Sequence, residues 1–166
     1  AIAALSLLQK MEDPILLVLS ADHLIEDNEA FQKAIKIGGN LAKQNKFVTF
    51  GVKPSSPESG YGYIEINKSS SSDYFDIKSF KEKPSSKNAE KYFSSDNYLW
   101  NCGIFMFKAS LYIKELEKFE PQIMNTCKKT SETFHKDLDF TRFDNNEFSN
   151  CPDKSIDYAV MEKTLE

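Results

Sequence analysis

ILLVLS, residues 15–20, is a short uninterrupted apolar run that predicts a strand buried on both faces of a sheet. Apolar residues recur at helical spacing across residues 27–44, which predicts a helix that covers this strand. A second strand-like segment follows at residues 47–52. Alternating strands and helices are typical of right-handed crossovers, so we expect an α/β fold with a mostly parallel sheet.

The remaining segments predict a mixed arrangement. Residues 1–11 have the pattern of a helix body without an N-cap, so we expect the chain to begin inside an element, with upstream residues missing. Two strand-like segments on either side of a serine-rich turn, residues 68–73, predict an antiparallel pair. The predicted elements of the second half are strands at 61–66, 74–80 and 103–107, helices at 88–95 and 111–119, and a final helix capped by Ser155.

The composition excludes several classes of protein. With 21 basic and 25 acidic residues among 166, the net charge is −4, which disfavours binding to nucleic acid or to an anionic membrane surface. No apolar stretch approaches the roughly 18 residues of a membrane span. The three widely spaced cysteines fit neither a disulfide framework nor a zinc pattern. We therefore expect free thiols, a cytoplasmic protein and no membrane partner; a homo-oligomer is compatible with this composition.

Asp22 follows the first predicted strand, after the small residues Ser20 and Ala21. Ligands of open α/β sheets bind beyond the carboxyl ends of the strands, where a carboxylate can hold Mg²⁺. An aspartate can equally cap a turn there, and both interpretations stay open. His23 is predicted to be structural, because no Ser or Cys nucleophile is placed to form a triad with it.

The loop at residues 54–63 places Gly60 and Gly62 on either side of Tyr61. Glycine lets backbone groups approach a ligand closely, which suits the binding of sugar hydroxyls or phosphate. The same residues are also common in a simple turn.

FKEKP, residues 80–84, lies at the end of a predicted strand. Glu82 can accept hydrogen bonds from sugar hydroxyls, and Lys83 can present a point charge to a phosphate. Pro84 fixes the backbone that aims them. A solvated run of charges is the alternative interpretation.

WNCG, residues 100–103, precedes the strand-like IFMF. Asn101 carries both a donor and an acceptor, as a hydroxyl does, and Gly103 permits close approach. Packing plus a turn is the alternative. Because these motifs lie at the ends of consecutive predicted strands, we expect a single cleft to gather them.

The chain resembles bacterial mannose-1-phosphate guanylyltransferases, which are sugar-nucleotide pyrophosphorylases. The matching segments are, in order, LVLSADHLI, FVTFGVKPSSPESGYGYIEI, FKEKP, YLWNCGIFMF and SIDYAVMEKT. The resemblance implies a Rossmann-like α/β/α nucleotidyltransferase fold, of which residues 1–166 are the central and C-terminal portion. The family's glycine-rich loop would precede Ala1 and a second metal-binding Asp would follow Glu166, so we expect this portion alone to be inactive.

In that family, GMP is transferred from GTP to mannose 1-phosphate, giving GDP-mannose and pyrophosphate. The resemblance implies that Asp22 is a catalytic Mg²⁺ ligand and that Lys83 binds the sugar phosphate. It assigns sugar contacts to Gly62, Glu82 and Asn101, and the full substrate-binding set is Gly60, Tyr61, Gly62, Glu82, Lys83, Asn101 and Gly103. Alternatives are another hexose-1-phosphate nucleotidyltransferase or a non-catalytic nucleotide-sugar-binding regulatory subunit.

Two residues depart from the family pattern: Lys81 replaces an apolar residue, and Cys102 replaces the usual Ser of WNSG. Neither removes a proposed contact. Asp157 and Glu162 of SIDYAVMEK are expected to support the site by helix packing. Some relatives carry a C-terminal domain with mannose-6-phosphate isomerase activity.

Overall fold

The computed structural model describes residues 1–68 and 73–164, so most of the predicted serine-rich turn lies outside the described residues. The chain divides into two compact units. One comprises Ala1–Leu16 and Lys108–Lys163, and the other comprises Leu17–Phe107 with Thr164. Within the described part of the chain, every helix is too short or too polar to cross a lipid bilayer.

The unit that begins at Leu17 is built on a five-stranded sheet. Its strands are β1 (Ile15–Val18), β2 (Val48–Val52), β3 (Gly62–Asn67), β4 (Asp76–Lys81) and β5 (Tyr98–Lys108). The order is β1-β5-β3-β4, and β2 also pairs with β5. Trp100 and Asn101 pair with both β2 and β3, so these two strands lie on opposite edges of β5.

The mixed α/β class is confirmed, but the expectation of a mostly parallel sheet is corrected. The pairs β2–β5, β3–β4 and β3–β5 are all antiparallel. The physical reason is the position of β5, which pairs with both β1 and β2. The strands β1 and β2, which α2 joins, therefore do not pair with each other. Residues of β1 are half-buried and Val18 is exposed, so this strand is not buried on both faces as predicted.

The helices predicted at residues 1–11, 27–44, 88–95 and 111–119 are present near those bounds, and two further helices follow. Their bounds are α1 (Ile2–Leu8), α2 (Asn28–Lys43), α3 (Ser86–Phe93), α4 (Ala109–Phe119), α5 (Pro121–Glu132) and α6 (Asn145–Ser149). Asp27 starts α2 by accepting the N–H of Ala30 at 2.9 Å, because the first N–H groups of a helix have no internal partner. Phe31 of α2 packs against Phe50 of β2, with ring centroids 6.4 Å apart.

The unit that begins at Ala1 is mainly helical. Leu116, Met124 and Val160 are among its fully buried side chains, and Pro121 occupies the first turn of α5, where its missing N–H costs nothing. A two-stranded hairpin, β6 (His135–Asp137) and β7 (Phe140–Arg142), follows α5. The predicted final helix is a π-helical turn, Asp157–Met161, and its N-cap is Ile156 without a side-chain cap, not Ser155 as expected.

Candidate functional site

The candidate site is formed around an irregularity in β5. Thr49 pairs with Phe105 and Gly51 pairs with Asn101, so β5 uses four residue steps where β2 uses two. The surplus forms a bulge at residues 102–104, in which Gly103 has a φ of 68°. Glycine adopts this conformation without the steric cost of a side chain. The WNCG motif therefore lies inside β5, and the turn expected before the strand is this bulge.

Side chains on both strands hold the bulge in place. The Cys102 thiol donates a hydrogen bond to the carbonyl oxygen of Phe50 at 2.8 Å. Thr49 Oγ1 lies 3.2 Å from the carbonyl oxygen of Ile104 and 3.2 Å from Oδ1 of Asn101. Burial raises the pKa of the Cys102 thiol, which therefore stays protonated at neutral pH and able to donate.

The amide of Asn101 is oriented by the bulge. The backbone N–H of Gly103 donates to its Oδ1 at 3.2 Å. Because an N–H group can only donate, the atom that receives it is the amide oxygen. The amide nitrogen Nδ2 lies on the other side, 3.5 Å from the point that a Cβ on Gly62 would occupy.

Gly62 is the cross-strand partner of Asn101 and is buried. A Cβ at this position would collide with Oε2 of Glu82 and would stand 3.3 Å from Cβ of Asn101. Because Gly62 has no side chain, the Glu82 carboxylate and the Asn101 amide can both lie next to its α-carbon. The structure thus brings together three residues that the sequence placed in one site: Gly62, Glu82 and Asn101.

Lys83 is exposed beside Glu82 and has a φ of 43°. Residues other than glycine pay a steric penalty in this left-handed region, and a following proline adds a further restriction. Strain of this kind persists where the surrounding structure imposes it, and it clusters at functional sites. The backbone of EKP is therefore more constrained than that of a solvated charge run.

Asp22 lies in an exposed turn after β1. Ser20, two residues before Asp22, lies near the bulge, because its Oγ is 3.9 Å from the point that a Cβ on Gly103 would occupy. Residues 1–68 and 73–164 contain no cluster of three or more His, Cys, Asp or Glu side chains suited to a metal ion. A lone exposed carboxylate nevertheless fits Mg²⁺, which is commonly held by one or two carboxylates together with substrate phosphates.

Gly60 and Tyr61 have different surroundings. Among the described residues, and apart from the two chain neighbours of Gly60, no heavy atom lies within 4 Å of its Cβ position. Tyr61 packs edge-on against Trp100, with ring centroids 5.1 Å apart. Strand alternation places Trp100 on the face of β5 opposite Asn101, so Tyr61 is directed away from the Glu82 carboxylate.

The sequence analysis did not identify Thr49 or the hydrogen bond of Cys102. Thr49 lies in a strand with ordinary β-forming neighbours, so its pattern resembles that of any half-buried strand threonine. The signal that could have found it is the glycine two residues later, since isolated glycines in strands often mark bulges or close approaches.

Comparisons with known proteins identify a family and several relatives. A family model described as nucleotidyl transferase matches residues 1–146. The xanthan biosynthesis protein XanB of Xanthomonas campestris pv. campestris is 46% identical over 166 residues, which are 100% of this chain and 35% of that protein. Mannose-1-phosphate guanylyltransferase RfbM of Salmonella typhimurium is 46% identical over 99% of this chain and 35% of its own length. The chain thus spans about a third of these curated relatives.

Two solved structures share the fold. A crystal structure described as mannose-6-phosphate isomerase from Helicobacter pylori has a TM-score of 0.86 and 33% identity, covering 97% of this chain and 62% of that one. Another, described as mannose-1-phosphate geranyltransferase from Thermus thermophilus, has a TM-score of 0.80 and 29% identity. It covers 96% of this chain and 44% of that one.

Proposed function

The chain belongs to the nucleotidyl transferase family, and from this premise we propose that the protein carrying it transfers GMP from GTP to mannose 1-phosphate. The products are GDP-mannose and pyrophosphate. The observation that carries the proposal is the meeting of the Glu82 carboxylate and the Asn101 amide over Gly62. A carboxylate beside an amide offers an acceptor and a donor, which is what neighbouring sugar hydroxyls require.

The names of the relatives support the choice of substrates. Relatives at 42–46% identity that cover 93–99% of this chain are named mannose-1-phosphate guanylyltransferase. The nearest competing activity is that of another hexose-1-phosphate nucleotidyltransferase, which would use the same chemistry on a different sugar or nucleotide.

The reaction requires no nucleophile from the protein. A phosphate oxygen of mannose 1-phosphate attacks the α-phosphorus of GTP in line, a new P–O bond forms, and the bond to pyrophosphate breaks. The protein then contributes positioning and charge neutralisation. Glu82 and Asn101 orient the sugar, and we assign Lys83, the next residue in the chain after Glu82, to offset the charge of the sugar phosphate.

Asp22 supplies the oxygen ligand that would hold a divalent cation, which we propose to be Mg²⁺. The bound cation would offset the negative charge of the triphosphate. The proximity of Ser20 Oγ to the Cβ position of Gly103, 3.9 Å, supports the inclusion of this turn in the same site.

We further propose that both compact units belong to one nucleotidyltransferase domain, since the family match at residues 1–146 includes parts of each. All three cysteines are free, which supports a reducing compartment, and we propose the cytoplasm.

The decisive experiment uses the purified product of the complete gene. Pyrophosphate release is measured with GTP, ATP, UTP and dTTP, each combined with mannose 1-phosphate and glucose 1-phosphate, in Mg²⁺ buffer. GTP with mannose 1-phosphate should give the highest kcat/KM. Preference for another pair would assign another hexose-1-phosphate nucleotidyltransferase, and binding without turnover would indicate a regulatory subunit. Asp22→Asn should lower turnover and raise the Mg²⁺ concentration needed for half-maximal rate.

A further inference from the structure

The orientation of the Asn101 amide decides which group it presents to a sugar. Its Oδ1 accepts the Gly103 N–H at 3.2 Å and lies 3.2 Å from the Thr49 hydroxyl. Its Nδ2 is therefore directed to the side of Gly62, where Oε2 of Glu82 also lies. A hydroxyl at this place would accept from Nδ2 and donate to the Glu82 carboxylate.

Thr49 is the side chain that joins the two ends of the bulge. One hydroxyl proton is shared between Oδ1 of Asn101 and the carbonyl oxygen of Ile104, each at 3.2 Å. Thr49 itself is half-buried on β2, opposite Phe105, where the regular pairing resumes. Thr49 therefore contacts both Asn101, which is assigned to the sugar, and the backbone of Ile104 at the other end of the bulge.

We propose that Thr49 is a positioning residue for recognition of the sugar. Its hydroxyl holds the Asn101 amide with the oxygen toward the bulge and the NH₂ group toward the substrate hydroxyl beside Glu82. Without it, Oδ1 keeps the Gly103 N–H but loses the Thr49 hydroxyl, so the amide is held less firmly in the orientation that the sugar needs. This inference rests on the proposed function, because it deepens the assignment of the same site.

The test compares Thr49→Val, which keeps the shape and removes the hydroxyl, with Thr49→Ser, which keeps the hydroxyl. In the product of the complete gene, Thr49→Val should raise the KM for mannose 1-phosphate about three- to tenfold, the size expected for one neutral hydrogen bond. The KM for GTP should change less than about twofold, because Asn101 faces the sugar. Thr49→Ser should stay close to wild type. Equal kinetics for the two variants would overturn the inference.

A double-mutant cycle with Asn101→Ala separates positioning from a purely structural role. If Thr49 acts through Asn101, Thr49→Val should have no further effect on the KM for mannose 1-phosphate in the Asn101→Ala background. A purely structural role would instead leave the effect in place, lower the melting temperature and raise both KM values together. That result would also overturn the inference.

The results can separate failure of this inference from misfolding of a variant and from failure of the proposed function. If Thr49→Val does not fold, Thr49→Ala and Thr49→Ser provide the same contrast between a side chain without a hydroxyl and one with it. If the wild-type protein does not turn over GTP with mannose 1-phosphate, the proposed function fails and the inference fails with it. If the wild type is active and only the Thr49 contrast is absent, the inference alone fails.

Discussion

The carboxylate of Glu82 lies directly above the α-carbon of Gly62, in the space that a side chain at position 62 would fill. The two residues belong to antiparallel neighbours, because Gly62 begins β3 and Glu82 follows the last residue of β4. This relationship makes the glycine a requirement for the observed position of the Glu82 carboxylate.

Gly62→Ala should weaken the sugar site without unfolding the protein. The added methyl group displaces the Glu82 carboxylate, and loss of a charged hydrogen-bond partner typically costs about 1.5–3 kcal/mol, or roughly one to two powers of ten in kcat/KM. Steady-state kinetics with varied mannose 1-phosphate measure the effect. Gly39→Ala in α2 is the control, because the described atom nearest to its Cβ position outside the helix backbone is Met106 Sδ, at an ordinary contact distance of 3.8 Å. Equal activity of both variants would contradict the geometry.

Lys83→Ala should raise the KM for mannose 1-phosphate and reduce turnover, by roughly one to two powers of ten in kcat/KM. The KM for GTP should change much less, because Lys83 is assigned to the sugar phosphate. Lys81→Ala is the matched control: Lys81 is the cross-strand partner of Tyr63, so strand alternation places it on the face opposite Gly62. Unaltered kinetics in folded Lys83→Ala would make EKP a solvated charge run.

Lys83→Gly should be more stable than Lys83→Ala, although both lose the charge. Alanine keeps the Cβ that is strained at a φ of 43°, whereas glycine does not. The difference in unfolding free energy should be about 1 kcal/mol in favour of glycine. Urea titrations of the two variants, followed by circular dichroism, provide the comparison. Higher stability of the alanine variant would show that position 83 carries no backbone strain.

Glu120 should contribute stability that depends on pH. Lys154 and Lys163 each donate to its Oε1 at 2.5 Å, and these hydrogen bonds lower the pKa of the Glu120 carboxyl from its ordinary value of 4.5. A lowered pKa in the folded state means that the contribution is present above about pH 4.5 and is lost as the pH falls through the folded value.

Urea unfolding of the wild type and of Glu120→Gln, repeated from pH 7 to about pH 3, should therefore give a difference that shrinks with acidification. Glu117→Gln is the control, since that glutamate has 56% of its side chain exposed and pairs with Lys128 at the surface. Exposed pairs of this kind contribute little. A difference for Glu120→Gln that stays constant with pH would contradict the assignment.

Much of the fold follows from local patterns. The helix predicted at residues 27–44 is Asn28–Lys43, because hydrophobic periodicity and the Asp27 cap act within a few residues. The antiparallel pairing of β3 with β4 was also predicted, from the turn between them, but the direction of pairing with β5 could not be predicted in this way. It depends on β5, which reaches the sheet after a hairpin and a helix and then lies next to β1 and β2. Pairing between distant segments leaves no periodic signal in either one.

The candidate site likewise contains residues that local patterns predict and one residue that depends on strand pairing. Gly62, Glu82 and Asn101 were predictable because glycine, carboxylate and amide residues at the ends of predicted strands carry a recognisable chemistry, and the structure brings them together. Their roles toward a substrate stay predictions. Thr49 could not be identified, since its importance depends on the register of β2 against β5, which exists only once both strands are paired.

The bulge in β5 restricts how this gene can change in length. Its surplus over β2 is an even number of residues, four steps against two, so side chains on either side of it keep the same alternation. Deleting one residue from 102–104 would turn Trp100 toward Gly62 and would move Asn101 to the opposite face of β5, where Trp100 now packs against Tyr61. Descendants of this gene should therefore keep the bulge whole or lose residues from it in pairs, so that selection on insertions and deletions here follows the two-residue period of the strand.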